Sequence, residues 1–234
     1  VSSACGLDED DMGDNLPYTN LGTGRTAKSI IAGESHTCAI LDNDRVKCWG
    51  KGSATGHGDD RTRGTAVSQM GDNLPYAQLG SARTVKKLSA EGAHHVCAVL
   101  DNNRVKCWGA NGQGQLGYGD KIHRGGGAFQ MGNNLPYVDV RDLRGSQAWV
   151  HSVHAGEHRT CVIVYHQDIN WSVTLKCWGS SKMQLSGSSS VGPTLTSWDA
   201  NLLGYGDQVQ RGDASGEIAN LPSVDLGTGL SPQW

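Results

Sequence analysis

The chain has 234 residues and a formal net charge of −3, and it contains 33 Gly but only one Phe. No apolar run approaches the roughly 18 residues that a membrane-spanning helix needs, and the charge offers no basic surface for nucleic acid. The chain begins VSSAC, without an initiator Met, a basic segment or an apolar signal core. This start is typical of a processed mature chain or a fragment.

A phrase built on Asn-Leu-Pro recurs along the chain. MGDNLPY begins at residues 12 and 70, MGNNLPY at 131, and a diverged copy, EIANLPS, at 217. Such a period predicts structural repeats. The predicted divisions are an acidic N-terminal segment at 1–14, repeats at 15–72, 73–133 and 134–219, and a partial repeat at 220–234 that forms a closing or edge strand. The third repeat is longer because of two predicted insertions, at about 165–172 and 180–202.

Short strands are predicted within each repeat. In the first repeat, AKSIIAG, TCAIL and RVKCW are rich in small and β-branched residues and are separated by Gly, Asn or Asp. No segment shows a sustained 3.6-residue apolar period, so we expect almost no helix. Asp42, Asn43 and Asp44 form a three-residue hairpin loop, because Asn and Asp tolerate the left-handed conformation it requires. This register places Cys38 opposite Cys48.

Two cysteines flank the turn of every hairpin. Opposed residues on antiparallel strands lie about 4.5 to 5.5 Å apart at Cα, which a disulfide accepts. The favoured interpretation is three disulfides: Cys38–Cys48, Cys97–Cys107 and Cys161–Cys177. Such pairs are typical of an oxidising compartment, either extracellular or an organelle lumen.

Two other interpretations of the cysteines stay open. Zinc is one, because His36 and His95 each lie two residues before a cysteine, although Arg159 takes that position in the third repeat. Reduced structural thiols are the other. Cys5 is left over, and it is interpreted as an intermolecular partner, a free thiol or a cysteine whose partner was lost in processing.

With the repeats laid out, the chain resembles the regulator-of-chromosome-condensation repeat family. The matching stretches are AGESHTCAILDNDRVKCWGKG at 32–52 and LSAEGAHHVCAVLDNNRVKCWGANGQGQLGYGD at 88–120. The resemblance covers nearly the whole chain, more loosely at 180–202. It implies an all-β fold of β-propeller blades, each with four antiparallel strands. The chain would supply three blades and a partial terminal one.

The repeat number predicts an incomplete or partner-completed propeller. Propellers generally close with about 4 to 8 blades, and three blades leave two open edges that invite pairing. The resemblance implies a rigid disc whose loops bind other proteins. Nucleotide exchange on a small GTPase is disfavoured, because the chain has paired cysteines, few repeats and no basic tail.

Three histidines precede the first cysteines of the hairpins: His36, His95 and His158. A catalytic histidine needs a nucleophile or carboxylate beside it, and the repeats supply none consistently. We therefore expect structural histidines that bond loop backbone between blades. No catalytic, cofactor or metal site is predicted.

The Gly-rich connectors repeat an Asp and an Arg four residues apart. The pairs are Asp59 and Arg63, Asp120 and Arg124, and Asp207 and Arg211. Calcium prefers a denser cluster of oxygen ligands. We expect the Asp to cap a turn and the Arg to reach a neighbouring blade.

Two surface features belong to the third repeat. Asn170 begins the N-glycosylation sequon Asn-Trp-Ser in the lengthened hairpin loop. The insertion at 180–202 carries Leu195 and Trp198, which we predict to contact a partner because a mobile polar loop often presents an aromatic anchor. The alternative is that Trp198 folds back over the exposed edge of its own blade.

The sequence predicts a non-enzymatic structural or protein-interaction subunit of a larger assembly, built from disulfide-stapled propeller repeats. Its partners are other protein chains, which can complete the propeller; no cofactor, nucleic acid or membrane span is expected. The alternative is a secreted recognition protein that binds glycans or inhibits an enzyme. An enzyme with its site at the propeller mouth ranks last, because no nucleophile and base converge.

Overall fold

The computed structural model describes residues 13–141, 148–167, 172–181 and 202–225. These residues form three antiparallel sheets, in each of which the middle strand pairs with both others. The strands are β1 (Ala27–Ala32), β2 (His36–Leu41), β3 (Val46–Gly50), β4 (Val85–Ser89), β5 (His95–Leu100), β6 (Val105–Gly109), β7 (Ala148–Gly156), β8 (Arg159–His166) and β9 (Val173–Gly179). Apart from short 3₁₀ turns, helix in the described residues is limited to α1 (Glu217–Asn220). The predicted all-β class is confirmed.

The hairpins have the predicted register. Cys38 pairs with Cys48 across β2 and β3, and the Leu41 N–H donates to the Arg45 carbonyl at 2.9 Å to close the loop. Asp44 has φ 58°, as does Asn103 in the second hairpin. These are the left-handed positions that Asp and Asn tolerate better than other side chains.

The sheets have three strands each, where four were expected. The fourth position is held by the Asn-Leu-Pro segment that follows the sheet. This segment makes one backbone bond to the third strand in each repeat: Ala77 N–H to Val46 O at 2.9 Å, Val138 N–H to Val105 O at 2.9 Å, and Val224 N–H to Leu175 O at 2.8 Å. Proline has no N–H to donate, so the ladder cannot extend through the segment as a regular strand.

The sheets pack face to face, like successive blades. The cysteine-bearing face of the first sheet packs on the opposite face of the second, and the second packs on the third in the same way. The first contact joins Cys38, Ile40, Val46 and Cys48 to Val96, Ala98, Leu100 and Trp108. Apolar area of this kind stabilises by about 25 cal/mol per Å² buried. The core of the molecule therefore lies between blades.

All three cysteine pairs are bonded in the structure. Each S–S bridge joins Cα atoms 4.1 Å apart, and the pairs are Cys38–Cys48, Cys97–Cys107 and Cys161–Cys177. Among the described residues, no group of three His, Cys, Asp or Glu is arranged to hold a metal ion. Over those same ranges, no helix has the length and apolarity to cross a bilayer.

Candidate interaction surface

A tryptophan on the third strand fastens each inner blade to the blade before it. The Trp108 indole N–H donates to the Ala54 carbonyl at 2.9 Å, and Trp178 donates to the Gln115 carbonyl at 3.0 Å. Both indoles are fully buried. A Cβ on Gly56, which has φ 72°, would lie 2.9 Å from the Trp108 Nε1, so glycine is needed for this close approach. The tryptophan and the connector glycine thus act together.

Backbone bonds repeat at the same junctions. The Gly58 N–H donates to the Gly125 carbonyl at 3.1 Å, and the Gly119 N–H donates to the Gly212 carbonyl at 3.1 Å. Each bond joins the connector of one repeat to the connector of the next. The second blade therefore uses a connector N–H donor on one side and a connector carbonyl acceptor on the other.

Trp49 belongs to the same tryptophan series, but none of the described sheets lies in front of it. It is half-buried, and among the described residues its indole N–H finds no acceptor. Gly64 lies against the Trp49 ring as Gly125 lies against Trp108, so the ring orientation is kept. Among the described residues, Trp108 thus has a neighbouring blade to bond to, whereas Trp49 does not.

The outer strand of the first sheet is also uncovered. Ile30 on β1 is 64% exposed. Its counterpart Leu88 is packed against the core between the first and second blades, and Val153 on β7 is buried. In the middle strand of the first sheet, Ala39 remains buried. The open part of this face therefore runs along β1 and across Trp49.

Buried lysines clamp the connectors of each blade. The Lys106 Nζ donates to the carbonyls of Leu79 at 2.9 Å and Gly132 at 2.7 Å. Lys47 makes the matching pair of bonds to Leu21 and Gly71. Burial, with Arg104 and Arg83 nearby, lowers the pKa of Lys106 to about 8. Sequence reasoning missed this role, although Lys-Cys-Trp-Gly recurs in all three hairpins and was the available signal.

A tyrosine or histidine in each connector hydrogen-bonds to the backbone of the second cysteine of each disulfide. The Tyr118 hydroxyl accepts from the Cys107 N–H and donates to the Cys107 carbonyl, both at 2.9 Å. Tyr205 accepts from the Cys177 N–H at 3.0 Å. In the first repeat, His57 replaces the tyrosine, and its Nε2 lies 3.0 Å from the carbonyl of Cys48. Sequence reasoning also missed this set.

The histidines before the cysteines gather between the blades. His95 Nε2 lies 2.7 Å from the hydroxyl of Thr160 in the next blade. His36 is buried, and neither of its ring nitrogens has a hydrogen-bond partner. The second blade has Val96 at the position that Thr160 occupies in the third, and valine offers no hydroxyl. The expected hydrogen bonds to loop backbone are therefore wrong for these two residues, since His95 bonds to a side-chain hydroxyl and the His36 ring has no hydrogen-bond partner.

Burial keeps these two imidazoles neutral. Loss of water, with His94 nearby, lowers the pKa of His36 to about 4. The same cause, with His36, His158 and His94 close by, lowers the pKa of His95 to about 3. His158 stacks on His94 with ring centroids 6.0 Å apart. This cluster is a structural element of the blade junctions.

The repeated Asp and Arg bind each other within one connector, so the expectation that the Arg reaches a neighbouring blade is wrong. Arg63 makes a two-pronged bond to Asp59, at 2.7 and 2.8 Å. Arg124 and Arg211 do the same with Asp120 and Asp207. The Asp also accepts from the backbone N–H two residues on, as expected for a turn cap. The turn brings the Arg back to its own Asp.

Several predicted residues lie outside the described part of the chain. These are the sequon residue Asn170, the partner-contact candidates Leu195 and Trp198, the unpaired Cys5, and most of the insertion at 180–202. Their predictions stay as they were stated.

The model of the regulator of chromosome condensation (RCC1) repeat matches residues 27–54 and 85–115. These segments contain the first and second sheets with their cysteine pairs. The chain thus carries RCC1 repeats in its first and second sheets. The third sheet of this RCC1-repeat chain lies outside the matched segments and has the same three-stranded plan.

Two curated relatives are similar to part of this chain and are much longer than it. The RCC1-repeat chain is 27% identical to protein pim1 of Schizosaccharomyces pombe over 132 residues, which cover 51% of this chain and 24% of pim1. It is 29% identical to the ultraviolet-B receptor UVR8 of Arabidopsis thaliana over 101 residues, or 43% of this chain and 21% of UVR8. The chain thus spans under a quarter of the length of these relatives.

Solved structures that match part of the chain include Prp20p from Saccharomyces cerevisiae and human WBSCR16. Prp20p is 19% identical with a TM-score of 0.43, over 70% of this chain and 33% of Prp20p. WBSCR16 is 16% identical with a TM-score of 0.45, over 75% of this chain and 37% of WBSCR16.

Proposed function

We propose that the chain is a non-enzymatic structural or protein-interaction subunit of a larger assembly, and that its first blade is the docking face for another polypeptide. The observation that carries the proposal is the contrast among equivalent tryptophans. Trp108 and Trp178 are buried and bonded to the blade before them, whereas Trp49 is half-buried and its indole N–H has no acceptor in the described chain.

The exposed strand β1 supports the same function. Ile30 is a large apolar side chain on an edge strand, and sheet edges with apolar side chains tend to pair with other chains. Tryptophan is among the residues that most often dominate binding energy at interfaces. A sheet with an exposed indole and an exposed isoleucine is therefore better suited to binding another protein than to catalysis.

The staples support a role in an oxidising compartment, extracellular or within an organelle lumen. Three disulfides fix the hairpins, and those of the first two blades are buried between blades. Bonds of this kind persist where thiols are oxidised and are rare in the cytosol. A scaffold stiffened in this way loses little conformational entropy on binding, which favours affinity.

The test is native mass spectrometry of the purified assembly with matched surface variants. Trp49→Ala and Ile30→Lys should each weaken assembly by on the order of tenfold or more, since truncating an interface anchor commonly costs 2 kcal/mol or more. Val209→Lys is the control, because Val209 is exposed and belongs to the third repeat rather than to the first blade. Assembly that survives both Trp49→Ala and Ile30→Lys would contradict the proposal.

A further inference from the structure

The first copy of the Asn-Leu-Pro phrase differs from the other three in its surroundings. Leu16 is 41% exposed and Tyr18 is 100% exposed. The equivalent leucines Leu74, Leu135 and Leu221 are all buried. Within the described part of the chain, the leucine of this phrase is thus buried in three copies and exposed in the first.

The covered copies lie on the third strand of the sheet that precedes them. In the first such contact, the Arg45 guanidinium stacks on the Tyr76 ring at 3.6 Å, and Asn43 donates to the Tyr76 hydroxyl at 3.1 Å. Arg104 and Asn102 hold Tyr137 in the same way, at 3.7 and 3.0 Å. The docking strand therefore offers an Asn, an Arg and a backbone carbonyl in a fixed order.

We propose that residues 15–18 bind the third strand of a partner blade. That blade contains a disulfide-bonded hairpin of this repeat type, and its third strand has the sequence Asn-x-Arg-Val-Lys-Cys-Trp. The proposal rests on the proposed function, because the same partner blade would cover β1 and Trp49. Leu16 would enter its core, and Tyr18 would lie beneath its arginine. The amide of Thr19 would donate to the partner strand, as the equivalent amides of Ala77 and Val138 donate to Val46 and Val105.

The backbone of the first blade has the groups that such a partner needs. Trp49 would donate to the carbonyl two residues before the partner's connector glycine, as Trp108 does to Ala54. The Gly64 carbonyl accepts no backbone N–H within the described chain, whereas its counterpart Gly125 accepts from Gly58. A stapled repeat blade supplies both missing groups at once.

A second copy of this chain does not fit the proposal. Its third blade is the one with a free cysteine-bearing face, but the third strand there is already bonded by the Val224 N–H to Leu175 at 2.8 Å. Leu221 is buried beside it. A second copy would have to displace its own segment, so the partner is a blade whose third strand is uncovered.

The first experiment uses the full chain and, as the probe, an oxidised, fluorescently labelled peptide of residues 36–50. We expect saturable binding measured by fluorescence anisotropy. Leu16→Ala and Tyr18→Ala should each weaken affinity by on the order of tenfold, as the loss of a buried anchor does. Phe129→Ala is the matched control, since Phe129 is an aromatic that is exposed elsewhere on the surface. An Arg45→Ala peptide should bind more weakly than the parent peptide.

The second measurement is amide hydrogen exchange on the purified assembly, which needs no isolated peptide. The Thr19 amide should exchange at least tenfold more slowly in the assembly than in the isolated chain, because a backbone bond protects it. Unchanged Thr19 exchange in an intact assembly overturns the inference, as does peptide binding that ignores Leu16→Ala and Tyr18→Ala. In either case, assembly that still depends on Trp49 leaves the proposed function standing. Self-association that depends on Leu16 would identify a second copy instead and would also overturn it.

Discussion

Acid should loosen the blade junctions before it affects the ion pairs. His36 and His95 are buried between blades, and desolvation lowers their pKa values to about 4 and about 3. In the unfolded chain, an imidazole has a pKa near 6.5. As pH falls below 6.5, the unfolded chain binds protons that the folded chain does not bind. Stability is therefore complete above pH 6.5 and is lost as the pH falls towards 4 for His36 and 3 for His95.

The size of the effect follows from the pKa differences. Each pH unit below 6.5 costs about 1.4 kcal/mol per imidazole until the folded form also titrates. At pH 5, His36 and His95 therefore cost about 2 kcal/mol each, or about 4 kcal/mol together. His57, whose pKa is also lowered by burial, acts in the same direction. The Arg63 hydrogen bond lowers the pKa of Asp59 to about 2, so this ion pair breaks only in stronger acid.

The assay is urea unfolding followed by tryptophan fluorescence at pH 7.5 and pH 5, with linear extrapolation to water. His36→Leu should remove about half of the two-histidine loss of free energy between the two pH values, because leucine does not titrate. His154→Gln is the control, since His154 is exposed on β7. If His36→Leu and the double variant with His95→Leu lose as much stability as the wild type, the reasoning is refuted.

Three further predictions concern single contacts. Trp108→Phe should destabilise the fold by about 1 to 2 kcal/mol, because it removes the buried indole bond to Ala54, while Trp49→Phe should change stability little; both are read from urea unfolding. Ala82→Gly should stabilise by about 0.5 to 1 kcal/mol in the same assay, because Ala82 has φ 56° and glycine adopts this conformation without a Cβ penalty. Reduction should lower the free energy of unfolding by on the order of 3 kcal/mol per staple, and non-reducing peptide mapping should find each bond within its own hairpin; cross-hairpin pairs would contradict this.

The hairpins could be predicted from the sequence because local patterns fix them. A loop of Asp and Asn between strands sets the register, and the register sets Cys38 against Cys48. The left-handed Asp44 follows from the same loop. Because the sequence repeats, the same register and cysteine pairing are predicted for the other two hairpins.

The contacts between elements could not be predicted in the same way. Lys47 alternates with Val46 and Cys48 along a strand, a pattern that ordinarily places a lysine in solvent. It is buried because two carbonyls from distant connectors converge on its ammonium group. The resemblance implied a fourth strand in each blade, but the Asn-Leu-Pro segment holds that position with a single backbone bond because its proline has no N–H to donate. Tertiary placement decided both outcomes.

The position of the Asn-Leu-Pro segment separates the unit that repeats in sequence from the unit that folds. Residues 73–79 are the start of the second repeat, yet they cover the sheet of the first. If a repeat is duplicated or deleted at the sequence boundary, every blade still receives a cover from its neighbour. An array of such repeats can therefore gain or lose whole repeats without exposing a sheet in the middle of the array. Only the two ends of such an array differ from its middle. At one end an Asn-Leu-Pro segment has no sheet to cover, and at the other end the last sheet has no sheet packed against its outer face.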